Sequence, residues 1–63
     1  MIGDNIKKLR NKKGITQDNL ARKADMPYAT LIKIESNAVK KPSVQNVAKI
    51  AEALEVKIED LLK

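Results

Sequence analysis

This sequence predicts an all-α fold, and three observations predict it. Apolar residues recur at i, i+3 and i+4 spacing through residues 16–36 and again through 44–54. No segment shows the strict apolar–polar alternation of a half-buried strand. Helix start and stop residues punctuate the chain: Thr16, Pro27 and Ser43 precede the periodic runs, and Gly14 and Asn37 follow them. The predicted architecture is a compact five-helix bundle in a single domain, residues 1–63, because a chain of 63 residues leaves no room for a second core.

The first helix is predicted over 4–13. Asp4 is placed as its N-cap, where a negative charge opposes the positive end of the helix. Ile6 and Leu9 mark the inner face, Ile2 is positioned to staple onto Ile6, and Gly14 supplies the left-handed residue that ends the helix. Thr16 caps the second helix, with Asn19 at the third position of a partial capping box and Leu20, Ala21 and Ala24 facing inward. A turn at Asp25-Met26 leads to Pro27, which suits a first helical turn because its missing N–H has no partner there in any case. The third helix, 27–36, turns Leu31 and Ile34 inward, and Asn37 suits a left-handed exit. Lys40 and Lys41 occupy the loop 38–42. Ser43 caps a fourth helix reaching Leu54, with an inner stripe of Val44, Val47, Ala48, Ala51 and Leu54 and with Ile50 alongside. A short last helix, 57–62, offers Ile58, Leu61 and Leu62.

The charge is unevenly placed. The net value is +5, yet residues 1–41 hold ten Lys or Arg against four Asp or Glu, and residues 42–63 hold three against four. A polyanionic partner is therefore expected on the first two-thirds of the chain. The last third is left for a different contact. Lysine pairs such as Lys7-Lys8 and Lys12-Lys13 need no partner at all, since charge runs are commonly solvated helix faces.

Catalysis finds little support. The chain has no His and no Cys, so it lacks a His-assisted nucleophile, a thiolate and a zinc cluster. Only Gly3 and Gly14 are present, too few for a glycine-rich phosphate loop. Neither an enzyme nor a cofactor is expected. No apolar run approaches a signal-peptide core or a membrane span, and the expected location is the cytoplasm.

The outer face of the third helix carries the functional signal. Tyr28, Ala29, Ile32 and Lys33 point away from the Leu31/Ile34 side, and they bring an aromatic, a small residue, a β-branched residue and a cation where a plain polar face is usual. Lys33 has the reach to bond guanine O6 and N7, and Ala29 and Ile32 suit a thymine methyl. Tyr28 suits a thymine methyl or a phosphate. The starts of the second and fourth helices, at Gln17 and Ser43, direct free N–H groups outward, which favours anions. Lys40 and Lys41 add cations that neutralise phosphates without selecting sequence.

Taken together, "GITQ..LA..A" from Gly14, "TL.KIE" from Thr30 and "PS......IA.AL" from Pro42 resemble the phage-repressor and Cro-like, or Xre-type, helix-turn-helix domains over about residues 4–62. The resemblance implies that the second and third helices form the helix-turn-helix and that the third enters the DNA major groove. It further implies base contacts from Tyr28, Ala29, Ile32 and Lys33, and phosphate contacts from Gln17, Asn37, Lys40, Lys41 and Ser43. Arg10 and Glu35 match an internal salt bridge of some relatives. Asp25 and Glu55 stand where such domains place Gly, so both are expected in the left-handed region, and Pro27 stands where a capping Ser or Thr is usual.

The function implied is a sequence-specific transcriptional regulator, a repressor that binds double-stranded DNA as a homodimer on a palindromic operator. Val56, Ile58, Leu61 and Leu62 are then the candidate dimer surface. A second class of function remains: a protein-interaction module or antitoxin that turns the Tyr28/Ala29/Ile32 face, or the C-terminal helices, toward a protein partner. The apolar character of that face is its support.

Overall fold

The computed structural model describes residues 1–63 and contains five helices and no strand: α1 (Ile2–Lys12), α2 (Gln17–Lys23), α3 (Tyr28–Glu35), α4 (Val44–Leu54) and α5 (Ile58–Leu62). α3 packs against α1 and α2, α4 closes over α2, and α5 lies across α1 and α4. The core they share is Ile6, Leu20, Ala21, Ala24, Met26, Leu31, Ile34, Val47, Ile50, Ala51, Leu54 and Leu61. Each Leu or Ile fully removed from water there contributes about 1.5–3 kcal/mol. No helix is long and apolar enough to cross a membrane.

The helix boundaries follow local chemistry. The Asn19 N–H donates to Thr16 Oγ1 at 3.1 Å, and the Asn46 N–H donates to Ser43 Oγ at 3.1 Å. Gly14 (φ 69°), Asp25 (φ 55°), Asn37 (φ 65°) and Glu55 (φ 58°) all take the left-handed conformation expected of them. Glu55 ends α4 in that conformation, a strained choice for a residue with a long side chain.

Three expectations are corrected. α1 begins at Ile2, with Met1 rather than Asp4 as its N-cap. Asp4 instead lies in the first turn, 3.6 Å from the N-terminal ammonium. The earlier start follows from docking, because the Gly3 N–H donates to Asn37 Oδ1 at 3.0 Å and holds the first turn against the end of α3. Val44 is 79% exposed. It occupies the first position of α4, at the rim of a stripe that Val47, Ile50, Ala51 and Leu54 centre elsewhere, with Ala48 half-buried. Leu61 is fully buried, so it belongs to the protomer's own core and is withdrawn from the dimer surface.

Candidate nucleic-acid interface

α3 divides cleanly into two faces. At about 100° per residue, positions 28, 29, 32 and 33 fall on one side and 31 and 34 on the other. Leu31 and Ile34 are buried in the core, whereas Tyr28 is 50% exposed, Ala29 and Lys33 are exposed, and Ile32 is half-buried. The four residues expected to contact bases therefore share one outward surface. Pro27 is the N-cap rather than the first helical residue, and no side chain caps this end. The start of α3 is left open.

The loop that follows is folded back onto α3. The Lys33 carbonyl accepts from Ser36 Oγ at 3.1 Å and from the Val39 N–H at 3.2 Å. This return sets Lys40 and Lys41 beside the C-terminal end of α3, with exposed Ser43 just beyond at the start of α4. Lys33, Lys40 and Lys41 make no salt bridge. Three uncompensated cations thus flank an aromatic and apolar surface. That combination suits phosphates around base edges.

Behind the face runs a buried polar chain. Arg10 Nε donates to Glu35 Oε2 at 2.9 Å and its second terminal nitrogen to Glu35 Oε1 at 3.1 Å. The other terminal nitrogen donates to the Ile15 carbonyl at 2.9 Å. With the Arg10 side chain 12% exposed and that of Glu35 1% exposed, this is the internal salt bridge expected of the pair. It ties α1, α3 and the turn before α2 at one point. The pair extends outward, since Gln17 Nε2 donates to Glu35 Oε1 at 3.3 Å and the Tyr28 hydroxyl donates to Gln17 Oε1 at 3.4 Å. Tyr28 and Glu35 are two turns apart on α3, and Gln17 spans them from α2. No buried side-chain nitrogen or oxygen lacks a partner.

The outward face of α3 is legible in the sequence, but what holds it in place is not. Asn37, expected on a phosphate, has its side chain occupied inside the protomer: Oδ1 accepts from Gly3 and Nδ2 donates to Asp4 Oδ1 at 3.2 Å. Nothing in the local sequence assigns Gly3 a role, yet a Cβ there would lie 2.5 Å from the Ile34 carbonyl oxygen and 2.6 Å from that of Glu35. Only glycine allows α1 so close to the end of α3. Its signal, a glycine in a first helical turn against the helix propensity scale, exists only once α1 is seen to begin at Ile2. Of the candidate dimer residues, Ile58 and Leu62 are exposed and Val56 is half-buried. Asn5 Nδ2 fixes the end of α5 by donating to the Leu61 and Lys63 carbonyls at 2.9 and 2.7 Å.

The arrangement matches known proteins closely. The helix-turn-helix family profile matches residues 6–61. The HTH-type transcriptional regulator SinR of Bacillus subtilis is 39% identical over 62 residues, covering 98% of this chain and 56% of SinR. A crystal structure of SinR, described as the master regulator for biofilm formation, in complex with DNA superposes with a TM-score of 0.94 at 38% identity, with both chains fully covered. A structure of SinR with the SinI protein gives the same TM-score of 0.94 and identity of 38%, covering all of this chain and 61% of that one. The chain therefore spans little more than half the length of the regulator it matches.

Proposed function

Because this chain belongs to the helix-turn-helix family of Xre and Cro-like type, we propose that it is a sequence-specific DNA-binding transcriptional regulator acting as a repressor. α3 lies in the major groove of a palindromic operator. Tyr28, Ala29, Ile32 and Lys33 meet base edges, while Lys40, Lys41 and the start of α4 at Ser43 grip phosphates. The observation that carries this reading is the setting of α3, an outward face of four side chains, unpaired Lys33 among them, bordered by unpaired Lys40 and Lys41. The full-length superposition on a DNA-bound SinR domain supports it.

Two copies bind half-sites about 10 base pairs apart, one turn of the duplex. Ile58, Leu62 and the edge of Val56 form the apolar surface between them. Repression follows from occupancy, since a bound dimer obstructs polymerase. The reading assigns no catalytic residue and no cofactor. It places the protein in the cytoplasm, where its DNA is.

Titration against duplex DNA across a range of salt concentrations tests this. Contact with several phosphates gives a steep loss of affinity, with a log–log slope of about −0.9 per phosphate on B-form DNA. A flat response contradicts it. A flat response would instead favour the second reading, an antitoxin-like module, for which the exposed Ile58 and Leu62 offer a protein-binding surface.

A further inference from the structure

The polar chain from Arg10 to Tyr28 has a direction, and that direction reaches the reading face. Glu35, held by the Arg10 guanidinium at 2.9 Å, is ionised and can only accept. The Gln17 amide 3.3 Å away must therefore present Nε2 to it. That leaves Gln17 Oε1 toward the Tyr28 hydroxyl, 3.4 Å away. An amide oxygen only accepts, so the phenol donates its single proton to it. What Tyr28 then shows to the outside, on a side chain 50% exposed, is an oxygen with a free lone pair and no proton.

We infer that Tyr28, oriented by Gln17 and through it by Glu35, reads DNA as a hydrogen-bond acceptor and favours a base that offers an amino group. This rests on the DNA-binding reading above. In the major groove only adenine N6 and cytosine N4 donate, whereas guanine N7 and O6 and thymine O4 accept. Guanine or thymine opposite Tyr28 sets lone pair against lone pair, or makes the phenol turn its proton outward and abandon Gln17. A phosphate oxygen does the same, so the chain steers Tyr28 to a base rather than to the backbone. Gln17 is a positioning residue here. The Tyr28–Gln17 contact is long and open to water, so the preference has the size of one neutral hydrogen bond, about fivefold.

Duplexes selected by this chain from a random pool supply the probe. The position facing Tyr28 is the one whose base preference disappears in Tyr28→Phe, and the amino-bearing member of that pair, adenine or cytosine, is the base it contacts. Replacing that base by its analogue without the amino group weakens wild-type binding about fivefold and leaves Tyr28→Phe unaffected. Gln17→Met removes the inward acceptor, so its selection admits guanine and thymine at that one position and is unchanged elsewhere. A merely structural role of Gln17 would weaken binding at every position alike. The analogue comparison needs no Gln17 variant and stands even if that variant folds poorly. An analogue bound as tightly as its parent, a Tyr28→Phe selection with no altered position, or a Gln17→Met selection identical to wild type overturns the inference while DNA binding stands. A pool from which nothing is selected overturns the DNA-binding reading as well.

Discussion

Replacing Arg10 by Met tests the hinge of the structure. The substitution removes two hydrogen bonds to Glu35 and one to the Ile15 carbonyl, and it leaves a carboxylate 1% exposed with only Gln17 beside it. Breaking one side of a buried ion pair costs about 3–5 kcal/mol. At typical values per residue, a domain of this length has roughly 3–9 kcal/mol of stability in all. The expected result is a loss of most of that margin, with a melting temperature lower by at least about 15 °C, read by circular dichroism on heating and in urea. The companion Arg10→Met/Glu35→Leu recovers most of the loss, because an apolar pair of similar volume carries no desolvation cost. A single variant that loses less than about 1 kcal/mol, as an exposed pair would, refutes the burial argument. So does a double variant no better than the single one.

Gly3→Ala gains helix propensity of about 1 kcal/mol, yet its Cβ meets the Ile34 and Glu35 carbonyl oxygens at 2.5 and 2.6 Å. A net loss of about 1–3 kcal/mol is expected in urea denaturation, and a gain would contradict the close docking of α1 on α3. Lys33→Ala should cost roughly 1–3 kcal/mol on the preferred duplex and relax base choice at one position, as a binding-site selection reads directly. Lys40→Ala with Lys41→Ala should weaken binding alike on every sequence and flatten the salt slope, and a loss confined to the preferred operator would falsify the phosphate role. The Lys57 N–H, donating at 3.1 Å, and then the Lys63 ammonium hold the Asp60 carboxyl below its usual 3.8. Its stabilisation is present above the unfolded value and is lost as pH falls through the lower folded one, so Asp60→Asn should give a shallower acid decline below about pH 4.

What the sequence made legible was local. Thr16 and Ser43 cap their helices because a hydroxyl before an apolar run has a free N–H three residues on, a fact of spacing alone. The outward set of Tyr28, Ala29, Ile32 and Lys33 was equally readable, since Leu31 and Ile34 fix the phase of α3. Contacts between distant segments were not readable from spacing, and the Arg10–Glu35 pair, 25 residues apart, was reached only through the family resemblance. Gly3 and Asn37 lie 34 residues apart and meet only once α1 has docked on α3, and that same docking starts α1 earlier than Asp4 suggested. The apolar residues of the last helix looked alike in sequence, but packing against α1 and α4 draws Leu61 inward and leaves Ile58 and Leu62 outside. The Tyr28–Gln17–Glu35 link depends on side-chain placement across two helices, which no periodicity encodes.

The central claim is that α3 and the lysine loop beside it form the surface that meets DNA. Nuclear magnetic resonance of the labelled chain, titrated with a duplex it selects, tests this most directly. The account predicts that amide shifts concentrate at Gln17, along residues 28–33 and through 40–44, while the interior of α4 stays quiet. Shifts centred on residues 56–62 with α3 unmoved would contradict it.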